Sequence, residues 1–138
     1  SSQIALGIAL NTDRPVICLD GDGATIMHMG SMAIIGNSSA DNYFHIVLNN
    51  GSHDSVGGQP TEGLNIDLVQ IALSCGYRQA ISVDKESEIR PAFEKLKTIK
   101  GPVFMEIKVK TGARSNLGRP TKTPVENKDS LMKTLDAD

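Results

Sequence analysis

The chain has 138 residues, of which 39% are hydrophobic and 22% charged, and its formal net charge is −2 at pH 7. This composition is typical of one soluble globular domain and excludes a disordered chain, while the slight acidity argues against a nucleic-acid-binding surface. No apolar run approaches the ~20 residues of a membrane span and no charged-then-apolar leader opens the chain, so we expect a cytoplasmic protein.

The first third of the chain alternates helix and strand patterns. A buried helix is predicted over 3–10, because this segment is apolar almost all round and follows two serines that can cap it. Residues 16–19 are apolar on both faces, which is typical of a central strand in a parallel sheet. After Gly21-Asp22-Gly23, small and apolar residues at helical spacing predict a second, closely packed helix at Met29, Met32, Ala33 and Gly36.

The rest of the chain continues this alternation. A buried strand over 45–48 ends at Asn49-Asn50-Gly51, and the long polar segment 51–65 is predicted to be a functional loop. The later predicted elements are a helix over 66–75, a strand over 81–83, an amphipathic helix over 89–96, a strand near a sheet edge over 103–109, an extended loop over 110–125 and a short terminal helix around 131–135. Together they predict an α/β fold with a parallel sheet flanked by helices on both faces, forming one domain over 1–138.

Several reactive residue types are interpreted as structural. Cys18 and Cys75 lie in apolar segments without CxxC spacing, which indicates buried thiols in a reducing compartment rather than a disulfide or a metal site. His28 and His45 are interpreted as a helix-start and a strand-edge residue, without a ligand role.

Two polar turns are the candidate site. Asp20-Gly21-Asp22-Gly23 and Asn49-Asn50-Gly51-Ser52 each follow a predicted strand, and ligands bind at the carboxyl ends of parallel strands. Carboxylate, carboxamide and backbone carbonyl oxygens suit Mg²⁺ or Ca²⁺, and so few protein charges require a further anionic ligand such as a phosphate. Because glycines and a helix start let backbone N–H groups approach that anion, we predict a bound diphosphate–Mg²⁺.

Other interpretations stay open from the residues alone. Taken singly, Gly-Asp-Gly and Asn-Asn-Gly are common structural turns. A Mg²⁺-nucleotide-binding module without catalysis, and an α/β fragment that binds nothing usefully, are the alternatives from other classes.

The spacing of these turns resembles the signature of thiamine-diphosphate enzymes, since twenty-five residues separate Gly23 from Asn49. The resemblance implies that Asp22, the side-chain oxygen of Asn50 and the main-chain carbonyl of Ser52 bind Mg²⁺, whereas Asn49 stabilises the turn. It also implies that thiamine diphosphate is held by Gly21, Asp22, Gly23, Ala24, Asn50, Ser52, Ser55 and Val56.

Segment 49–61 further resembles the phosphonopyruvate decarboxylases and, less closely, the sulfopyruvate decarboxylase β subunits, and the tail 112–120 supports the same families. The resemblance implies loss of CO₂ from 3-phosphonopyruvate to give phosphonoacetaldehyde in phosphonate biosynthesis, with sulfopyruvate or another 2-oxo acid as the alternative substrate. His53 and Asp54 are implied near the reactive ring, where His53 either transfers a proton or only contacts a neighbour.

The residues that recognise the anionic substrate stay undecided. Arg114 and Arg119 can clamp a phosphonate in bidentate geometry, or form salt bridges at a subunit interface. The amides of Gly57 and Gly58 are a third possibility.

The resemblance also implies a partner. Family members need an activating glutamate from a separate pyrimidine-binding domain, usually of the opposite subunit, and no such domain fits in 138 residues. They also have a strand and a Gly-Ser-Met-Gly-like turn before the point at which this sequence starts. We therefore expect a fragment or one subunit of a split pair that works in a dimer or larger oligomer, and that alone is inactive and binds cofactor weakly.

Overall fold

The computed structural model describes residues 1–136, and within them strands and helices alternate along the chain. In order, the elements are α1 (Ser2–Ala9), β1 (Val16–Gly21), α2 (Asp22–Met27), α3 (Gly30–Gly36), β2 (Tyr43–Asn49), α4 (Leu68–Ser74), β3 (Gln79–Val83), α5 (Glu86–Leu96), β4 (Val103–Lys108) and α6 (Pro124–Leu135). A single 3-10 turn, Asp54–Val56, interrupts the long loop after β2. No helix among these residues is long and apolar enough to cross a membrane.

The four strands form one parallel sheet in the order β1-β2-β4-β3. Parallel strands need crossover connections, which the intervening helices supply. Because β1 and β2 are neighbours, with Gly21 opposite Leu48, their carboxyl ends meet at the same edge of the sheet. The predicted α/β fold is confirmed.

Helices cover both faces of the sheet, as predicted. On one face, α1, α3 and α4 enclose the larger core, in which Met32, Ile35 and Phe104 are almost completely buried. On the other face, α5 packs on β3 and β4 around Leu96 and Val103.

The second face is covered only in part. Ile17 and Leu19 of β1 and Leu48 of β2 are 48%, 64% and 42% exposed, beside the half that α5 covers. Large apolar side chains with this much exposure on adjacent strands indicate a surface that accepts a ligand or another protein segment.

Two predicted strand positions are wrong. β1 was expected to be central because 16–19 is apolar on both faces, but among the described residues it forms an edge of the sheet. The opposite error concerns β4, which was expected near an edge because polar residues alternate in its sequence. It is an inner strand, and Glu106 is buried in it, 4% exposed.

The predicted helices are present with differences in detail. α1 buries only one face, since Leu6 and Ala9 are buried whereas Ile4 is 72% exposed, and Ser1 makes no side-chain capping bond. The close-packed stripe is confirmed at Gly36, where a Cβ atom would overlap the Cys75 carbonyl oxygen. α6 is longer than expected, with a capping box between Thr123 and Glu126.

The residues interpreted as structural also differ in detail. His45 is not at a strand edge but is 1% exposed in the middle of β2, while His28 is exposed at the end of α2 rather than at a helix start. Cys18 is buried and Cys75 is half-buried, and both are free thiols.

Candidate functional site

The two polar turns line one cavity at the carboxyl edge of the sheet. Its volume is about 490 Å³, and β1, α2, the end of β2 and the following loop form its walls. All ten residues predicted to bind the cofactor or to act in catalysis lie in this lining: Gly21, Asp22, Gly23, Ala24, Asn50, Ser52, His53, Asp54, Ser55 and Val56. Residues 26 to 35 positions apart in sequence are therefore brought together by the pairing of β1 with β2.

Asp22 is the charged group of the first turn. It begins α2 directly after β1 and is only 2% exposed. A buried carboxylate needs a hydrogen-bond donor, and the Thr61 hydroxyl donates to Oδ2 of Asp22. The Gly63 amide donates to the same Thr61 oxygen at 3.2 Å. The far end of the 51–65 loop thus holds one carboxylate oxygen, and Oδ1 remains available to a ligand.

Gly23 brings the loop close to α2. A Cβ atom there would overlap Cε1 of the His53 ring and lie 2.6 Å from its Nδ1. Only glycine therefore lets the imidazole rest against the start of α2, where it forms part of the cavity wall. α2 has six residues, so the helix dipole that was expected to favour an anion contributes little here.

The second turn is organised by Asn50 and Asp54. Oδ1 of Asn50 accepts from the Ser52 amide at 2.9 Å, and its Nδ2 donates to Oδ2 of Asp54 at 2.9 Å. The Ser52 hydroxyl donates to the other carboxylate oxygen of Asp54 at 2.9 Å. These bonds fix Asn50 and Ser52 relative to each other in the wall of the same cavity.

Asp54 also ties the tail loop to this turn. The Gly112 amide donates to Oδ2 of Asp54 at 2.7 Å. This bond, and then the Ser52 hydroxyl, lowers the pKa of Asp54 from its ordinary value. Because the pKa is lowered, Asp54 stays ionised and keeps these hydrogen bonds at neutral and mildly acidic pH. The bonds weaken only when the pH falls through that lowered pKa and the carboxylate is protonated.

The segment that follows the second turn is a closed loop. The Thr61 amide donates to the Gly51 carbonyl at 2.9 Å and the His53 amide to the Gln59 carbonyl at 2.8 Å. Gly57 and Gly58 have φ of +131° and +75°, which side-chain-bearing residues rarely adopt. The backbone conformation of the loop tip therefore depends on these two glycines.

A second cavity of about 370 Å³ shares Asp54 and Ser55 with the main one. Arg119 lines it together with Gly112 and other tail residues. Arg114 lies in the same tail but outside this lining, and its carbonyl accepts from the Leu117 amide at 3.1 Å. Of the two predicted arginines, the structure therefore brings Arg119 to the site.

Asn49 stabilises the second turn, as the resemblance implied, whereas sequence interpretation missed the other supporting groups, Glu106, Thr61 and Gly63. Asn49 is 0% exposed, and its side chain bonds the Glu106 carboxylate, the Gly63 carbonyl and the Gly51 amide. A lone polar residue inside the apolar run of β4 was a signal for Glu106. Thr61 and Gly63 gave no signal, because their role depends on where the loop returns.

A buried polar group also lies behind the first turn. Nδ1 of His45 is 2.9 Å from the Tyr77 hydroxyl, and its Nε2 lies 3.6 Å from the Asp20 carboxylate. Burial alone would raise the pKa of Asp20, but the neighbouring His45 and Ser1 side chains outweigh it and lower the pKa. Asp20 is therefore ionised at neutral pH, and it lines the cavity next to the first turn.

Comparisons with known proteins find relatives that match most of this chain. A family profile described as thiamine pyrophosphate enzyme, C-terminal TPP binding domain, matches residues 1–107. The chain is 38% identical over 126 residues to a phosphonopyruvate decarboxylase of Streptomyces viridochromogenes, a match covering 91% of this chain and 32% of that protein. It is 37% identical over 92 residues to sulfopyruvate decarboxylase subunit beta of Methanococcus maripaludis, covering 67% of this chain and 49% of that protein.

The chain thus spans about a third of the first relative and half of the second. Among solved structures, an enzyme of Mycobacterium smegmatis described as thiamin diphosphate-dependent superposes with a TM-score of 0.64 at 23% identity, covering 79% of this chain and 20% of that one. The resemblance to both decarboxylase families, predicted from segment 49–61 and the tail 112–120, is confirmed.

Proposed function

This chain belongs to the family of thiamine pyrophosphate enzymes, as their C-terminal TPP binding domain, and from this we propose that its main cavity holds thiamine diphosphate through Mg²⁺. The observation that carries the proposal is the convergence of Asp22, Asn50 and Ser52 on that one cavity. We further propose that residues 1–138 act as the diphosphate- and Mg²⁺-binding domain of a longer or two-subunit enzyme.

The donor set fits Mg²⁺. Oδ1 of Asp22, the Asn50 carboxamide oxygen and the Ser52 main-chain carbonyl are hard oxygen ligands. The hydrogen bond from the Ser52 amide uses one lone pair of the Asn50 oxygen, and a second lone pair remains for a metal. A single protein carboxylate leaves positive charge on the ion, which diphosphate oxygens would balance. Backbone amides at Gly23 and Ala24 would line that diphosphate. The Gly21 amide was expected to do the same, but it already donates to Oδ1 of Asp20 at 3.2 Å.

The rings of the cofactor need an apolar surface, and one wall of the cavity supplies it. Leu19, Met27, Leu48 and Val56 line this wall and are 64%, 67%, 42% and 72% exposed. A ring system would cover only part of this wall. We propose that a second protein surface covers the rest of this wall. That surface would be the pyrimidine-binding domain that supplies the activating glutamate, in a dimer or larger oligomer.

We propose decarboxylation of 3-phosphonopyruvate as the reaction of the complete enzyme. When bound, the thiazolium ring of the cofactor serves as the electron sink. We propose that His53, whose ring lies against Gly23, exchanges a proton with the substrate, and that Asp54 orients the turn that carries Asn50 and Ser52. Arg119 in the adjoining cavity is the candidate for binding the phosphonate, with Arg114 and the amides of Gly57 and Gly58 as further candidates.

Thermal melting of the chain tests the binding proposal. Thiamine diphosphate and Mg²⁺ together are expected to raise the melting temperature, because a ligand that binds only the folded state stabilises it by mass action. Thiamine diphosphate with a chelator should give little shift. An equal shift with ATP and Mg²⁺ would favour a nucleotide-binding module instead, and no shift with millimolar cofactor and Mg²⁺ would contradict the proposal.

Turnover of the complete enzyme tests the substrate proposal. We expect kcat/KM to be highest for phosphonopyruvate, lower for sulfopyruvate, and lowest for pyruvate, which lacks the second anionic group. The resemblance to sulfopyruvate decarboxylase subunits makes sulfopyruvate the second candidate, and a higher kcat/KM for it would reverse the assignment. Decarboxylation by this chain alone would contradict the need for a pyrimidine-binding partner.

A further inference from the structure

Glu106 is a buried carboxylate in the middle of the sheet. It lies on the inner strand β4 with 4% of its surface exposed. A charge in such a place is unfavourable unless hydrogen bonds satisfy it. Two neutral donors do so: Nδ2 of Asn49 lies 2.6 Å from Oε1, and the Ser82 hydroxyl 2.5 Å from Oε2. Strands β2, β4 and β3 are thereby joined through one side chain.

Asn49 links Glu106 to the loop that follows β2 through hydrogen bonds. Its Nδ2 also donates to the Gly63 carbonyl at 2.7 Å, and its Oδ1 accepts from the Gly51 amide at 3.2 Å. Two acceptors face the nitrogen and a donor faces the oxygen, so only one orientation of the carboxamide satisfies all three. Glu106 is the charged acceptor of the set, and hydrogen bonds to charged groups are the stronger ones.

Both ends of the loop that Asn49 holds carry parts of the site. Gly51 lies between Asn50 and Ser52, whereas Gly63 lies two residues after Thr61, whose hydroxyl donates to Asp22. A shift of Asn49 would therefore move the ligands of both turns relative to each other.

We propose that Glu106 is a positioning residue of the metal site, which acts through Asn49 to hold the turns at Asn50–Ser52 and at Asp22 in register. This inference rests on the proposed function, because it assigns Glu106 a role toward the Mg²⁺ that those turns would bind. Groups behind metal ligands typically change metal affinity about 10- to 100-fold when removed.

The test compares Glu106→Ala with Glu106→Gln. Alanine removes both acceptors, whereas glutamine still offers an oxygen to Asn49 and can donate to the Ser82 hydroxyl. Mn²⁺, which shares the preference of Mg²⁺ for oxygen ligands, is titrated in the presence of thiamine diphosphate, and free Mn²⁺ is followed by its electron paramagnetic resonance signal. We expect Glu106→Ala to weaken Mn²⁺ binding about tenfold and Glu106→Gln to stay close to the unsubstituted protein.

A matched control separates positioning from general stability. Val83→Ala truncates a buried side chain of β3 in the smaller core, so it should lower the melting temperature and leave the Mn²⁺ dissociation constant unchanged. Unaltered Mn²⁺ affinity in Glu106→Ala, in a protein whose unsubstituted form binds Mn²⁺, would overturn the inference alone. Failure of the unsubstituted protein to bind Mn²⁺ with the cofactor would overturn the proposed function as well.

A milder variant covers the case in which Glu106→Ala does not fold. Ser82 is exposed, and Ser82→Ala removes only the donor to Oε2. The carboxylate keeps its bond to Asn49 but loses its second donor and should hold Asn49 less firmly. Mn²⁺ binding should therefore weaken about threefold, less than the 10- to 100-fold expected when such a group is removed. An unchanged dissociation constant in this variant would then count against the inference.

Discussion

Asp22→Asn is expected to abolish stabilisation by thiamine diphosphate and Mg²⁺ while leaving the ligand-free fold intact. Asparagine has the size of aspartate and can still accept from Thr61, so the buried position keeps its hydrogen bond. What is lost is the one negative charge that the protein contributes to the ion.

The size of the effect follows from mass action. Ligand at a hundredfold excess over its dissociation constant stabilises the unsubstituted chain by about 2.7 kcal/mol. A hundredfold weaker dissociation constant in the variant would leave about 0.4 kcal/mol under the same conditions. The measurement is a pair of thermal or urea unfolding curves for each protein, with and without both ligands.

Asp13→Asn is the matched control for this prediction. Asp13 is an exposed carboxylate in the turn before β1, at the amino-terminal end of the strand and away from the cavity. Its replacement should preserve the full stabilisation. Full stabilisation of Asp22→Asn as well would show that the cavity does not bind the cofactor through this turn.

Gly63→Ala is expected to lower the free energy of unfolding by about 3 kcal/mol and to prevent cofactor binding. A Cβ atom at Gly63 would lie 2.6 Å from Oδ2 of Asp22 and 2.7 Å from Oδ1 of Asn49. Both contacts are closer than van der Waals distance, and both side chains are held by hydrogen bonds. Forcing extra volume into a packed site costs typically 1–3 kcal/mol, and here the displaced groups are the two that organise the turns.

Urea unfolding of Gly63→Ala gives the stability change, and Mn²⁺ titration gives the loss of binding. Gly7→Ala in α1 is the control, because a Cβ atom there has nothing within 4 Å. Alanine is the better helix former by up to about 1 kcal/mol, so this control should be neutral or slightly stabilised. Equal behaviour of the two variants would mean that the return of the loop at Gly63 does not constrain the site.

Sequence interpretation succeeded where the signal is local. Asn49-Asn50 after an apolar run and Gly21-Asp22-Gly23 after another could be placed at strand ends without knowing the strand order. The convergence of these turns needed only the assumption that β1 and β2 are neighbours, which the structure bears out.

Sequence interpretation failed where apolar residues are exposed or a charged residue is buried. Ile17 and Leu19 made β1 resemble an inner strand, although in the described part of the chain α5 covers only the other half of their face of the sheet. Glu106 made β4 resemble an outer strand, although Asn49 and Ser82 satisfy its carboxylate inside the sheet. Apolar periodicity indicates which side chains are unfavourable in water, and does not indicate which strands pair.

The uncovered half of the sheet has a practical consequence. Edge strands with apolar side chains are templates for pairing with other chains, and within the described residues β1 is such a strand beside the main cavity. This chain by itself is therefore expected to self-associate increasingly as its concentration rises. The proposed pyrimidine-binding partner, by covering this edge, should suppress that self-association.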